Sequence, residues 1–570
     1  MTETLRQKFA SDPFNIACIV AAAIAVMLPV YFLGIPDGYD LGQHVRFAER
    51  YYSALISGEL FPGWSGEDNF GFGSAGIRFY PPLAYYFLAI SKAVIGDWYL
   101  TIFANVVGWM IAGCIGVYYW LREHLDPKMS LLAAVMYAIV PYHLFQFYQT
   151  VLFAEFAAAG ILPFCFLLAQ RVAARGRAVD VVSFAAAYAA LLLTHIPTSV
   201  IATMSLGVYL LFAIDRKRLA ASAWRFATAF AVSLAASGFY LVRLVSEVDW
   251  VAHNSPQYYL KGYYSYKQYL FPMFLVSPEQ YEGKMLWHLD SQIILTAVLL
   301  VSSLAMLAWS MLRRDGSNVV RRLLLPTCVG GIFSFFMMSA LSLPIWDRVT
   351  LLQRIQFPWR WLALFSLFAV VAFVAAFSRF RETLPQFRKI AAYSVSLIIL
   401  SFLLFDLTQN ILQSGPLPPD KFEQKLETVH AEQGCPCWWP VWAGEAAFAN
   451  RRELTVNDRS IMSSQWGEEE RRFRITPGVA GATARLPLFY YPHWKAYADG
   501  KAVDTGMDEN GALTVQLPAA ASELTVKFEE PGKLLMARAV SVLTWICILV
   551  SLLFLFFRRS SRKLNLPLFD

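Results

Sequence analysis

Apolar runs long enough to cross a bilayer recur along this chain, and no other feature limits its fold so strongly. A hydrocarbon core of about 30 Å takes about 20 helical residues. Inside it the backbone must satisfy its own polar groups, which leaves helices or a closed barrel. Runs that meet or approach this length lie at 14–33, 99–121, 130–148, 151–170, 180–194, 197–214, 224–245, 291–312, 322–341, 358–378, 389–409 and 536–557. With 57% hydrophobic and 16% charged residues, the 570-residue chain is also too apolar for a soluble domain. It reads as an α-helical polytopic membrane protein of about twelve transmembrane helices.

The basic residues orient these spans. With the N-terminus inside, alternate loops face the cytoplasm, and those loops carry Arg122 and Lys128; Arg171, Arg175 and Arg177; Arg216, Lys217 and Arg218; and Arg313, Arg314, Arg321 and Arg322. Further on come Arg379, Arg381, Arg388 and Lys389, then Arg558, Arg559, Arg562 and Lys563. This is the positive-inside pattern at every turn, with both termini cytoplasmic. Arg6 and Lys8 precede the first span without a small-residue cleavage site after it, so that span is expected to remain in the protein. Because the Lys and Arg residues serve topology, the net charge of +7 does not mark a nucleic-acid-binding face. The segment 80–95 is apolar but short, opens with Pro81-Pro82, and would invert the parity if it crossed. It is expected to lie at the outer interface or to re-enter.

Three regions then face outward: 34–98, 246–290 and 410–535. The third turns polar and shows period-2 stretches such as ELTVND, RRFRIT, ATARLPLF, WKAYAD, ALTVQL and ELTVKFEE, with Asp499-Gly500 and Asn510-Gly511 as hairpin turns. The expected organisation is a helical membrane domain over 1–409, a β-sandwich-like extracytoplasmic domain over 410–535, and a final span with a basic tail over 536–570. The self-contained β pattern suggests a domain replaceable by a linker without unfolding the helices.

Chemistry is densest in the first outer loop, where Asp37, Asp40 and His44 fall within eight residues. Asp40 and His44 share a helix face at i, i+4. A carboxylate with an imidazole suits deprotonation of a hydroxyl or the holding of a divalent cation, Mg or Mn, by Asp40 and His44. The plain alternative is that an aspartate caps a helix and His44 is a polar surface residue. Other ionisable groups collect where outer loops meet spans: His143, Glu155, His195, Arg243, Glu247, Asp249, His253, Arg348, Arg354 and Arg360. Such positions are costly and tend to be functional. Arg348, Arg354 and Arg360 suit a phosphate, or else snorkel at helix ends. Trp64 and Tyr80 sit in glycine- and aromatic-rich stretches fit to fold over a cavity. Trp438, Trp439, Trp442 and Trp494 suit either sugar stacking or a sandwich core. Cys435 and Cys437 lie in the outward domain, where a disulfide is an option; the other five cysteines lie in apolar spans. The cytoplasmic loops are short and carry no Gly-rich phosphate loop.

Taken as an ordered series, DGYDLGQH, GELFPGW, NFGFG, FYPPLAYY, LLLTHIPTSV and RIQFPWRWL resemble a bacterial membrane family labelled pyruvoyl-tetrahydropterin-synthase-related, of the GT-C clan of glycosyltransferases. FYYPHWKAYADGKAVDT is similar to the C-terminal domain of YfhO-like membrane proteins. The resemblance implies a GT-C-like fold in the bacterial inner membrane, a polyprenyl-phosphate sugar donor, and a glycan, lipid or protein acceptor, with inverting transfer on the outer face. It also implies that Asp37 or Asp40 is the base or metal ligand and Glu155 the second acidic position, where many members have Asp. Arg354 or Arg360 would receive the phosphate. The rival reading is a lipid or polysaccharide transporter or assembly protein without catalysis, though no paired halves with interrupted helices are visible.

Overall fold

The computed structural model describes residues 11–256, 260, 265–273, 283–313, 317–429, 433–450, 455–456, 459–460, 462–475 and 482–564. Arg6, Lys8, Arg314 and parts of the ELTVND and RRFRIT stretches lie outside the described residues. The helical part comprises α1 (Asp12–Leu33), α2 (Leu41–Ile56), α3 (Leu83–Ile95), α4 (Trp98–Arg122), α5 (Pro127–Ala138), α6 (Phe153–Ala174), α7 (Ala178–Leu192), α8 (Ile196–Ala213), α9 (Leu219–Ala236) and α10 (Gly238–Glu247). It continues with α11 (Gly283–Leu312), α12 (Leu325–Met338), α13 (Leu362–Thr383), α14 (Gln386–Leu412), α15 (Pro419–Val429) and α16 (Gly532–Leu564).

Among the described residues nine helices are long and apolar enough to cross a membrane, and α5 with Pro141–Gln149, bent by 42°, makes up to ten. The two other expected crossings are shorter: α7 has 15 residues, and the apolar part of α14 is Ser396–Leu412. The expected run 224–245 is broken at Ser237 into α9 and α10, and Ser541 Oγ of α16 accepts the backbone N–H of Phe239 at 2.8 Å at the break. At the centre stands α13, buried at every residue from Leu362 to Ser378, as an apolar helix must be when neighbours surround it.

The helix ends sort into two sets. At one end Arg122 pairs with Asp12 at 3.1 Å, Arg171 with Glu123 at 2.7 Å and Arg381 with Asp126 at 3.2 Å, so the basic loops meet there. At the other, Tyr99 Oη donates to the Val30 carbonyl at 2.7 Å, joining the start of α4 to the end of α1. There too Leu83 N–H donates to Leu193 O at 2.7 Å. Both ends of α3 therefore lie at the same end of the bundle. With 13 residues, about 20 Å, α3 is too short to cross.

The C-terminal region holds two five-stranded antiparallel sheets. With Ile35–Pro36 as β1 and Pro416–Leu417 as β2, the strands here are β3 (Thr455–Val456), β4 (Arg459–Ser460), β5 (Met462–Trp466), β6 (Glu470–Arg474), β7 (Ala482–Phe489), β8 (Trp494–Ala498), β9 (Lys501–Val503), β10 (Thr505–Met507), β11 (Ala512–Leu517) and β12 (Glu523–Phe528); one sheet has the order β10-β11-β7-β3-β4 and the other β5-β6-β12-β8-β9. Buried and exposed side chains alternate on β8 and β12, the period-2 signature. A two-stranded pairing of Ile35–Pro36 with Pro416–Leu417 joins the chain leaving α1 to the chain leaving α14.

This region is locked to the first loop by buried charge. Arg78, fully buried, pairs with Glu247 of α10 at 2.7 Å and with Glu530 at 2.7 Å. Glu247 also accepts from Tyr491 Oη at 2.9 Å and faces His493 at 2.9 Å. Glu530 meets Arg243 at 3.0 Å and Arg538 at 3.1 Å. Buried Arg471 of β6 donates to the Gly66 and Gly71 carbonyls, each at 2.8 Å. Trp64 is buried against Tyr491, Trp494 and Phe528. A domain expected to be replaceable by a linker thus shares a core with the membrane part, because removing it takes Glu530 from Arg78, and Tyr491 and His493 from Glu247, leaving that buried pair only partly answered.

Candidate functional site

The end of the bundle opposite the basic loops contains a cavity of about 580 Å³ under the first loop. Its wall combines Asp40, His44 and Tyr80 from that loop with His253, Trp359, Arg360, Lys425 and Trp438 from later segments. Local backbone chemistry brings Asp40 there. The loop passes so close to Thr150 and Val151 that a Cβ at Gly38 would collide with the Thr150 carbonyl, and Asp40 N–H donates to that carbonyl at 3.3 Å. Helix α2 then starts, with Asp40 at its N-cap, yet the carboxylate makes no capping hydrogen bond. Asp40 is half-buried. Burial and the nearby Glu155 push its carboxyl up to about 6, against the pull of Arg360.

Glu155 stands in the first turn of α6. Its Oε1 accepts from Tyr142 Oη at 2.7 Å and Gln146 Nε2 at 3.2 Å, and its Oε2 pairs with Arg360 at 3.3 Å. Arg360 also donates to the Ile355 carbonyl at 2.7 Å and lies 5.0 Å over the Phe357 ring. Held on one side by Glu155, the guanidinium keeps further donors for an anion in the cavity. Trp438 stacks on His253 at 4.6 Å and packs edge-on against Tyr80 at 6.0 Å, giving the cavity an aromatic wall.

The remaining expected residues divide. Asp37 is exposed and ion-paired with Lys425; it does not line the cavity. His44 does, but Tyr85 Oη lies 2.6 Å from its Nδ1, and its Nε2 accepts from Phe153 N–H at 3.3 Å. Burial holds its pKa down to about 3, so the ring is neutral. Both nitrogens are engaged, so a metal site of Asp40 and His44 is not formed. Glu155 is committed to Arg360, Tyr142 and Gln146, and no group of three His, Cys, Asp or Glu able to hold a metal exists among the described residues. The donor set therefore does not fit a resident divalent cation. His195 is buried at the N-cap of α8, bonded to Thr198 Oγ1 at 2.7 Å, behind the cavity wall. Arg348 and Arg354 are exposed, and Arg348 donates to Pro344 O at 2.8 Å, so of the three arginines Arg360 alone lines the cavity. Trp64 belongs to the loop–domain core. Of Trp438, Trp439, Trp442 and Trp494, Trp438 lines the cavity, while Trp439 and Trp494 are buried. Cys435 and Cys437 are joined in a disulfide that also forms part of the wall.

A small apolar pocket of about 20 Å³ lies beside this site, lined by Leu41, Val45, Ala48, Leu88, Phe153 and Phe422. The chain is thus a polytopic helical bundle with a polar, aromatic-walled cavity at one end. The chain belongs to the membrane-protein family described as 6-pyruvoyl-tetrahydropterin synthase related domain, which matches residues 77–412.

No curated protein sequence matches the chain. Among solved structures, it is similar to the Archaeoglobus fulgidus oligosaccharyltransferase tethered with an acceptor peptide, at 13% identity and a TM-score of 0.44, over 75% of this chain and 59% of that one. It is similar to ArnT from Cupriavidus metallidurans bound to undecaprenyl phosphate, at 14% identity and a TM-score of 0.41, over 74% of this chain and 77% of that one. It is also similar to the arabinosyltransferase EmbB from Mycobacterium smegmatis, at 12% identity and a TM-score of 0.36, over 90% of this chain and 62% of that one. The chain thus spans less than two thirds of the oligosaccharyltransferase and of EmbB.

Proposed function

We propose that this protein is an inverting glycosyltransferase that moves a sugar from a polyprenyl phosphate to a hydroxyl of a glycan, lipid or protein, on the outer face of a bacterial inner membrane. The observation that carries this reading is the juxtaposition of Asp40, a carboxylate with a raised pKa and no capping role, with Arg360 across one cavity. The acceptor oxygen attacks the anomeric carbon and passes its proton to Asp40, while the bond from that carbon to the phosphate oxygen breaks. Arg360, oriented by Glu155, holds the departing phosphate through its free N–H donors. The first loop closed over the site excludes water, which would otherwise hydrolyse the donor. No step is routed through a cation, since the described donor set does not fit one.

The positive-inside pattern of the loops supports placing the cavity outside. The test is sugar transfer in liposomes from a panel of radiolabelled polyprenyl-phosphate sugars, comparing the parent with Asp40→Asn. Transfer by the parent and its loss in the variant support the reading. Equal transfer by both sinks the mechanism and moves weight to lipid transport.

A further inference from the structure

The cavity wall holds two polar side chains that no step above uses. Gln356 is only 4% exposed and lines the cavity, yet its side-chain amide has no hydrogen-bond partner among the described residues. A buried amide left unanswered at both ends costs free energy, and in a native structure it calls for an explanation. The backbone supplies a second observation. Gln356 has φ 69°, in the left-handed region that a non-glycine residue rarely adopts. Such conformations persist where the surroundings hold them, and they collect at functional sites. The turn here is held through the Ile355 carbonyl, which accepts Phe357 N–H at 2.8 Å and Arg360 Nη1 at 2.7 Å. The peptide leading into Gln356 is thus the one that Arg360 grips, so the amide stands beside the group assigned to the phosphate.

His253 lines the same cavity. Its ring stacks on Trp438 with 20° between the planes, and neither nitrogen has a partner among the described residues. Burial and the charge of Arg360 hold its pKa down to about 4, so the ring is neutral, with one nitrogen donating and the other accepting. The charged groups of the wall are already engaged. Asp40 and Arg360 serve the transfer, Lys425 pairs with Asp37, and Arg46 donates to the Val429 carbonyl at 2.9 Å.

We infer that Gln356 and His253 read the sugar of the donor, and that this sugar is uncharged, a hexose or an N-acetylated hexosamine; the inference rests on the transfer proposed above. A hydroxyl or an acetamido group both donates and accepts, so it answers the Gln356 amide and the neutral imidazole alike. A carboxylate only accepts and an ammonium only donates. Either would leave a donor or an acceptor unanswered in a buried place, and would add a charge with no free partner. Charged sugars are rejected by that mismatch.

The test uses the full chain in nanodiscs with polyprenyl-phosphate glucose, N-acetylglucosamine, glucosamine and galacturonate, reading binding by thermophoresis and transfer by radiolabel. The parent is expected to bind the first two at least about tenfold more tightly than the last two. Gln356→Glu keeps the size but loses the N–H donors and adds a charge. It is expected to weaken the glucose donor about tenfold and to bind the glucosamine donor best. His253→Phe keeps a ring on Trp438 and removes the nitrogens, and is expected to raise KM for both neutral donors about tenfold with kcat nearly unchanged. The inference is overturned if the parent binds charged donors as tightly as neutral ones, or if both variants keep the parent's affinities and order. Preferential binding of neutral donors together with normal transfer by Asp40→Asn overturns the transferase mechanism alone. Loss of transfer in Asp40→Asn, with charged and neutral donors bound alike by the parent, overturns the present inference alone.

Discussion

Two groups of buried charge lie within this protein, and they differ in how completely they are answered. At the interface of first loop and C-terminal region, Arg78 is matched by Glu247 and Glu530, and these in turn by Tyr491, His493, Arg243 and Arg538. In the cavity, Asp40 faces Arg360 and Glu155 without a capping bond, and Arg360 gives Glu155 one side of its guanidinium. A fully answered network holds elements together, whereas a partly answered one keeps valence for a ligand.

The sharpest way to break this comparison is Asp40→Asn. Loss of a general base costs about 10²- to 10⁴-fold in rate, while the folded protein is not weakened. The raised pKa means that the ionised carboxylate is disfavoured by its surroundings above pH 6. The Asn variant is therefore expected to melt at an unchanged or higher temperature at pH 8, measured by scanning fluorimetry beside the transfer assay. A large fall in melting temperature would make Asp40 structural.

Arg78→Ala reverses the pattern. It leaves Glu247 without a guanidinium and Glu530 with Arg243 and Arg538 alone, and the expected loss is about 3–5 kcal/mol of stability. Reduced yield of folded protein by gel filtration is the readout, and Arg78→Lys, which keeps the charge but not the fork, is expected to recover part of it. Unchanged yield and melting would show that the interface is not structural.

The pH profile separates the regions at smaller scale. A base with a pKa of about 6 is neutral below that value and competent above it. Transfer is expected to fall about tenfold per pH unit below 6 and to level off above, a limb that Glu155→Gln, by removing a charge that pushes Asp40 up, moves to lower pH. A flat profile from pH 5 to 8 would remove Asp40 as the base. The smallest effects belong to the exposed pair: Asp37→Asn is expected to change transfer less than twofold and stability by less than about 1 kcal/mol. The same assay with EDTA is expected to show the parental rate.

The helical architecture was legible because it repeats one physical demand. Apolar length and the alternation of basic loops are local properties, and the ends of α3 meeting the ends of α1 and α7 agree with the parity they imply. Asp40, Glu155, Arg360 and Tyr80 were legible as chemistry at the outer ends of spans. Choosing Asp40 over Asp37 was not, since the two share one short motif and differ in which way the turn at Gly38 throws them. Arg348 and Arg354 carry the same chemistry as Arg360, and exposure rather than composition separates them. Trp64 was misread because its neighbours Tyr491, Trp494 and Phe528 are far along the chain. His253 joins Trp438 by a contact equally remote in sequence. Pairings of that kind are set by tertiary packing, and periodicity is silent about them.

The short pairing of Ile35–Pro36 with Pro416–Leu417 has a consequence for how the protein is made. Synthesis proceeds from the N-terminus, so the loop bearing Asp40 is made long before its partners at 416–417 and the strands beyond them leave the ribosome. Until then Arg78 has Glu247 but not Glu530, and the cavity lacks the part of its wall that Lys425 and Trp438 supply. A half-made chain in the membrane thus has an unfinished cavity, which is completed only when the later segments arrive.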